Sequence, residues 1–118
     1  MSPVLNSGDY VFCTVASLDG IDMKAIIALF KEQEAITIVL SKETANGLNL
    51  PYDFIAAWIT LTVHSSLAAT GLTAAFATAL AKAGISCNVI AAYYHDHIFV
   101  AKDDAEKAML VLRELAED

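Results

Sequence analysis

The sequence predicts an α+β domain in which helices cover one face of a mostly antiparallel sheet. Segments with strand-like alternation are interleaved with segments of helical periodicity along the chain. Of the 118 residues, 57% are hydrophobic and only 18% are charged, which excludes a disordered chain. The length is that of one domain, and it is sufficient to bury a core without disulfides or a structural metal.

The first half of the chain predicts a strand, a helix and a strand. Residues 10–17 are rich in β-branched and aromatic side chains and precede a turn signal, which is typical of a strand. A helix over residues 22–34 is predicted by apolar side chains at helical spacing, namely Met23, Ile26, Ile27 and Phe30. A short strand follows at 36–40, and the turn residues within 41–52 predict a loop or irregular hairpin.

The second half predicts the order strand, helix, strand, strand, helix. Strands are expected at 58–64, 86–94 and 98–101, with residues 95–97 interpreted as a tight turn. Apolar stripes predict one helix over residues 70–83 and another that begins at the capping residue Asp103. Gly84 occupies the position where a left-handed residue ends the first of these helices. This is the ferredoxin-like plan without its last strand, so the N-terminal strand or a partner chain is expected to complete the edge.

Composition and charge exclude several classes of function. There are 7 Lys and Arg residues against 14 Asp and Glu residues, so the formal net charge is −7. Nucleic acids and anionic membranes are disfavoured because both bind clustered positive charge. Residues 67–83, the most apolar stretch, are mostly Ala and Thr and predict a buried helix rather than a membrane span. Without a basic and apolar leader segment, a cytoplasmic location is expected.

The excess of apolar residues predicts a homo-oligomer, a dimer or larger. A hydrophobic content of 57% leaves more apolar surface than one small sheet covers. A second copy of the chain is therefore expected to bury part of it.

Histidines provide the main catalytic alternative. Histidine is a common metal ligand, and the chain contains His64, His95 and His97. His95 and His97 are separated by one residue, so on a strand they would share a face. The interpretation of 95–97 as a turn argues against this arrangement, and Ser65 and Ser66 lack the partners of a nucleophile. No catalytic residue, metal site or cofactor is expected, and a histidine-based metal protein or enzyme remains the alternative.

The junction between the strand at 58–64 and the following helix is the better candidate for a ligand site. From Ser65 and Ser66 to Gly71, the chain is expected to place free backbone N–H groups and a positive helix end together. Gly71 has no Cβ, so a ligand could approach closely. Asp96, from the next hairpin, could bind an ammonium group. A site for both charges of an amino acid is one interpretation, and an ordinary capped helix beside a surface turn is the other.

Several segments resemble those of stand-alone bacterial ACT-domain proteins of unknown function, in the same order and spacing. The chain is also similar to the ACT modules of the cytosolic arginine sensors, through the residues 84–86 and 96–97. The matching segments are Tyr10–Val15, Ile36–Leu40, Val63–Leu67, Thr70–Ala74, Gly84–Val89 and Tyr93–Val100.

The resemblance implies regulation by a small ligand, with an amino acid as the expected ligand, rather than catalysis. It implies a tail at 1–9, a reduced β-α-β ACT-like unit at 10–56 and an ACT domain at 57–118. ACT domains generally pair side by side and bind ligands at the interface, near the first strand-to-helix turn. The residues that match this site are Gly71, Leu72, Thr73, Asn88, Val89 and Asp96. An interaction module with a vestigial pocket is the remaining alternative.

Overall fold

A computed structural model describes the backbone of residues 2–62 and 66–117 and the side chains of residues 2–62 and 73–116. The strands in this part of the chain are β1 (Ser2–Leu5), β2 (Tyr10–Val15), β3 (Ile26–Lys31), β4 (Ile36–Ser41), β5 (Ile55–Thr62), β6 (Cys87–Ala91) and β7 (His95–Ala101). The α-helices are α1 (Lys42–Gly47), α2 (Ser66–Lys82) and α3 (Ala105–Glu117). The chain forms two compact units, Gly8–Ala56 and Met1–Ser7 with Ala57–Asp118.

The unit Gly8–Ala56 is a small antiparallel sheet with one short helix. Strand β4 pairs with β2 on one side and with β3 on the other, and β2 also pairs with the first residues of β5. Because side chains alternate along a strand, every second residue of β2 and β4 points to the same face. These residues and one helical alanine form the core of the unit: Val11, Cys13, Ile38, Leu40 and Ala45.

The helix predicted over residues 22–34 is wrong. The structure has a single 3-10 turn, Met23–Ala25, followed by strand β3. Asp22 still caps this turn, since its side chain accepts a hydrogen bond from the backbone N–H of Lys24 at 3.0 Å. Three of the residues that suggested a helix, Ile26, Ile27 and Phe30, also belong to a continuous apolar run, residues 25–30, that contains two β-branched isoleucines. Such a run is equally compatible with a strand, and pairing with β4 decides between them.

The loop or hairpin predicted over residues 41–52 contains a helix instead. Ser41 caps α1, because its hydroxyl accepts a hydrogen bond from the backbone N–H of Thr44 at 3.1 Å. The Asn46-Gly47 pair, interpreted as a turn signal, marks the end of this short helix, and the chain reverses at Asn49 with φ of 57°. Only Ala45 of the helix is buried, so the sequence carries almost no periodic apolar signal there.

The second unit combines four strands with the two longer helices. β1 pairs antiparallel with β5, from Ser2 opposite Thr62 to Leu5 opposite Ile59. β6 pairs antiparallel with β7, which lies beside β5. One face of these strands is covered by α2 and α3, and together they bury this core: Ala57, Ile59, Leu61, Phe76, Leu80, Ile85, Ile98, Val100, Ala105, Ala108, Met109 and Leu112. The α+β class predicted from the sequence is confirmed.

The N-terminal strand completes the sheet edge of this unit. The sequence left that edge to its first predicted strand, at 10–17, or to a partner chain, whereas the structure completes it with β1, a strand that the sequence did not predict. Residues 2–5 belong to the segment that was predicted as a tail. They lie where the ferredoxin-like plan has its last strand.

Helix α2 ends as predicted but begins earlier. Gly84 has φ of 78°, and Ile85 N–H donates to Leu80 C=O at 2.9 Å while Gly84 N–H donates to Ala81 C=O at 3.0 Å. This pair of bonds is a Schellman cap, which confirms the expected role of Gly84. The predicted start near Thr70 is wrong, because the helix begins at Ser66. No helix in the described part of the chain is long and apolar enough to cross a bilayer.

Two assignments around β7 also change. Residues 95–97 belong to the strand and not to a turn, and the reversal lies at 92–94. Asp103 lies inside the 3-10 turn Lys102–Asp104 and does not cap α3. The buried stripe predicted for α3 is present, since Ala105, Ala108, Met109 and Leu112 are buried.

We predict that Phe76→Ala destabilises the protein strongly. Phe76 is fully buried between the helices and the sheet, so its truncation leaves a cavity that costs about 3–5 kcal/mol. The matched control is Phe30→Ala, since Phe30 is 70% exposed and its loss should change the free energy of unfolding by less than about 0.5 kcal/mol. Urea unfolding measures both values. Equal losses in the two variants would contradict the assignment of the core.

Candidate functional site

The predicted ligand residues fall into three groups in the structure. His64 and Ser65 lie outside the described residues. Ser66, Gly71 and Leu72 are part of the backbone of α2, and their side chains are not described. Thr73 is exposed on the same helix, whereas Asn88, Val89 and Asp96 lie on the β6–β7 hairpin.

The earlier start of α2 changes which backbone groups are free. The first four N–H groups of an α-helix have no partner within the helix, and among the described residues these are the groups of residues 66–68. Gly71 lies in the second turn, so the expectation of free N–H groups at Gly71 is wrong. The positive end of the helix lies one turn earlier, at Ser66.

The hairpin places Asp96 and Val89 on one face and Asn88 on the other. Val89 packs against the core formed with α2 and α3, and Ile98 is part of that core. Asp96 lies two residues before Ile98 and therefore points to the same, helix-covered face, where it is half-buried. Asn88 is exposed and points away from that face.

Asp96 and the beginning of α2 lie at the same end of the sheet. Trp58 of β5 stacks on Phe99 of β7, with ring centroids 6.2 Å apart, while Thr60 lies against His97. The two strands therefore run in opposite directions, and the first residues of β7 lie beside the last residues of β5. Helix α2 begins shortly after β5 ends. A carboxylate and a helix N-terminus thus share one end of the helix-covered face, which suits a ligand with one positive and one negative group.

The opposite face of the same strands carries a polar cluster that the sequence did not predict. Trp58 Nε1–H donates to His97 Nδ1 at 3.0 Å, and Thr60 Oγ1 lies 3.3 Å from the same nitrogen. Asn6 Nδ2 donates to Thr60 Oγ1 at 2.9 Å. Because an indole N–H can only donate, His97 Nδ1 must accept, and the ring is neutral with its hydrogen on Nε2.

Several features around His97 favour its neutral form. Burial lowers the pKa of His97 below its ordinary value, since a charged ring would lose hydration. The neighbouring His95 lowers this pKa further by repulsion, whereas the Asp96 carboxylate opposes the change. The hydrogen bond from Trp58 acts in the same direction as burial, since a proton on Nδ1 would end it.

The two histidines of β7 share a face, as alternation along a strand requires. Their ring centroids are 6.3 Å apart, and His95 Nδ1 is buried without a hydrogen-bond partner among the described residues. Within those residues, no group of three or more His, Cys, Asp and Glu side chains is arranged to hold a metal ion. The metal alternative thus gains no ligand set from this part of the chain.

The polar cluster had a partial signal in the sequence. Alternation along β5 predicts that Trp58 and Thr60 share the face opposite to Ile59 and Leu61, and the structure confirms this. Their contact with His97 depends on the pairing of strands far apart in the chain. Because residues 95–97 were interpreted as a turn, the prediction from sequence did not place His97 on that face.

Both halves of the chain match models of one protein family. Residues 1–57 match one model described as an ACT domain, and residues 54–114 match a second model with the same description. No curated protein matches the chain.

Solved structures with the same fold span a wide range of identity. A protein of unknown function from Vibrio cholerae is 52% identical with a TM-score of 0.88, over 98% of this chain and 89% of that one. A protein from Agobacterium tumefaciens is 17% identical with a TM-score of 0.74, over 96% and 87% of the two chains. A domain from Porphyromonas gingivalis, described as a C-terminal regulatory domain of aspartate kinase, is 12% identical with a TM-score of 0.61, over 96% and 94%.

We predict that His97 makes folding stability fall in mild acid. The folded state lowers the pKa of His97 relative to the unfolded value near 6.5, so the unfolded chain binds this proton first. The stabilisation is therefore complete above about pH 6.5 and is lost progressively as the pH falls toward the folded pKa. The control is His97→Asn, in which an amide oxygen takes the place of Nδ1 as the acceptor but does not titrate.

The measurement is the free energy of unfolding of both proteins at about pH 7.5 and about pH 5.5. The parent should lose more stability than His97→Asn over this interval. Comparing the two losses cancels the contribution of the carboxylates, because both proteins contain them. An equal loss in the two proteins would contradict the prediction.

Proposed function

Because this chain belongs to the ACT-domain family, we propose that it is a regulatory protein without catalytic activity that binds a free amino acid. The observation that carries the proposal is the shared position of the N-terminus of α2 and the Asp96 carboxylate. An amino acid has the two complementary charges close together. The similarity in fold to a regulatory domain of aspartate kinase supports regulation as the role of such a site.

The chemistry of the proposed site follows from its two ends. The carboxylate of the ligand accepts hydrogen bonds from the free N–H groups at residues 66–68, where the helix dipole also favours negative charge. The ammonium group donates to Asp96, which is half-buried and therefore less screened than a surface carboxylate. Of the residues proposed from the sequence, Ser66 lies at the helix end, Gly71, Leu72 and Thr73 lie further along α2, and Ser65 lies outside the described residues.

The hairpin residues contribute unequally to this proposal. Val89 lies on the same face as Asp96 and supports the site from the core side. Asn88 points to the opposite face and is not part of the proposed site.

Strand β6 is the proposed contact surface of a homo-oligomer. Edge strands are usually protected by charges, prolines, bulges or short length. β1 has only four residues and includes Pro3, and β3 is bulged between Ile26 and Ala28 and ends in Lys31. β6 is an edge strand of its own unit, and its residues Cys87–Ala91 include no charge or proline and pair in regular register. An edge of this kind suits pairing with a second copy of the chain.

We predict that at least one of the twenty standard amino acids raises the melting temperature of the protein. A ligand at about 100 times its Kd adds about 2.7 kcal/mol to the free energy of unfolding. Asp96→Asn should weaken binding of the same amino acid about ten- to a hundredfold, because a charge-assisted hydrogen bond contributes about 1.5–3 kcal/mol. Thermal shift identifies the ligand, and calorimetry gives the two affinities.

The matched control is Glu114→Gln, which removes a negative charge from an exposed position on α3. It should bind as the parent does. If no amino acid shifts the melting temperature, the ligand class is wrong and an interaction module with a vestigial pocket is the better description. If Asp96→Asn binds as tightly as the parent, the site lies elsewhere.

We predict that the parent chain sediments as a dimer or larger species and that Asn88→Lys reduces it to 12.6 kDa monomers. Asn88 is exposed on the β6 edge strand, so a lysine there should fold normally but oppose its symmetry mate. Phe30→Lys is the control on β3, an edge strand of the unit Gly8–Ala56, and should leave the assembly intact. Analytical ultracentrifugation at about 100 µM, a concentration at which weak homodimers form, tests all three chains. A monomeric parent would overturn the proposed assembly.

A further inference from the structure

The N-terminal strand β1 is attached to its unit by few interactions. It pairs with β5 over four positions and contacts α3, and its side chains are mostly exposed. Asn6, the next residue, adds three hydrogen bonds to β5. Its backbone N–H and its Nδ2 donate to Trp58 C=O at 2.9 and 3.2 Å, and Nδ2 also donates to Thr60 Oγ1 at 2.9 Å. An element with so little buried apolar surface depends strongly on such bonds.

The bonds of Asn6 continue into a chain that ends at His97. The Asn6 amide donates to Thr60, and the Thr60 hydroxyl is then free to donate to His97 Nδ1, 3.3 Å away. Trp58 Nε1–H donates to the same nitrogen. The bond from Asn6 to Thr60 and the bond from Thr60 to His97 run in one direction and strengthen each other, while Trp58 shares the His97 acceptor with Thr60. The arrangement therefore requires neutral His97.

We propose that protonation of His97 releases β1 from β5, so that β1 is an acid-sensitive strap on the edge of the sheet. The proton from solvent occupies Nδ1, and two N–H groups, those of Trp58 and His97, then face each other across 3.0 Å. The Thr60 hydroxyl must turn to accept from His97 and no longer donates to it. The positive ring now faces the amide hydrogens that Asn6 donates to Thr60, which weakens the attachment of Asn6.

The charged and titratable groups around His97 within this unit affect whether its ring is protonated. His95 and Asp96, both on β7, are its titratable neighbours, and they act in opposite directions. Among the residues whose side chains are described, the neighbours on the other elements are uncharged: Trp58 and Thr60 on β5, Asn6 after β1, and Ile90, which pairs with His97 from β6.

Release of β1 has a defined structural consequence. The backbone groups of β5 that pair with β1, at Ile59–Thr62, lose their partners. An exposed strand edge of this kind accepts another extended segment. Acid would thereby convert an occupied edge into a vacant one without unfolding the helix-covered core.

The test is hydrogen–deuterium exchange of the segment 2–6 in the parent and in His97→Asn, at about pH 7.5 and about pH 5.5. Comparing the two proteins at the same pH cancels the intrinsic pH dependence of exchange. We expect equal rates at the higher pH and exchange at least about tenfold faster in the parent at the lower pH. The segment 36–41, strand β4, is the internal control and should exchange equally in both proteins.

Two further measurements keep the proposal falsifiable. Trp58 is the single tryptophan, so its fluorescence should titrate with His97 in the parent and not in His97→Asn. Thr60→Val interrupts the chain without a histidine substitution, and its segment 2–6 should exchange faster than in the parent at the higher pH, with less further change in acid. Equal exchange of segment 2–6 in parent and His97→Asn at the lower pH overturns the proposal. Titration of Trp58 without faster exchange of that segment also overturns it, because protonation would then be local.

Discussion

Strand β5 faces two different environments, and the unit that contains α2 and α3 depends on keeping them apart. Ala57, Ile59 and Leu61 are fully buried beneath the helices, whereas Trp58 and Thr60 alternate with them and enter the polar cluster. A shift in register by one residue would exchange these two sets and bury an indole N–H and a hydroxyl in the apolar core. The positions of β1 and β7 follow from this requirement, since both strands must match the same alternation.

The hydrogen bonds on the polar face depend on whether His97 is protonated. Trp58 can only donate, Asn6 donates through its amide, and Thr60 completes the chain between them, so His97 has to supply the acceptor. Half-buried polar groups of this kind are costly when they lose their partners. His97 therefore couples the pairing of β5 and β7 to the N-terminal strand, although the two are distant in sequence.

The β6–β7 hairpin combines features that bear on regulation. Asp96 and His97 are consecutive but point to opposite faces, so one belongs to the proposed ligand site and the other to the polar cluster. The outer edge of the same hairpin, β6, is the strand proposed to pair with a second copy. A ligand, a proton and a partner chain would thus all act on one short element of the ACT fold.

The sequence by itself determined the class of fold, the two ferredoxin-like ACT units and the buried stripe of α3, and the comparisons confirm the family and the fold. It also determined that Gly84 ends α2 and that the side chains of β5 alternate between an apolar and a polar face. The fold class, the stripe of α3, Gly84 and the alternation of β5 depend on residues close together in the chain, where the spacing of apolar side chains and the need for positive φ act directly, whereas the two ACT units were implied by resemblance to a known family. Tertiary structure decided the rest. The run 26–31 became a strand because β4 pairs with it, the segment 41–47 became a helix with only one buried residue, and α2 begins at Ser66. The contact of Trp58 with His97 joins residues 39 positions apart. No local pattern specifies which distant strand lies beside β5, because strand pairing depends on burying the whole apolar face of the sheet.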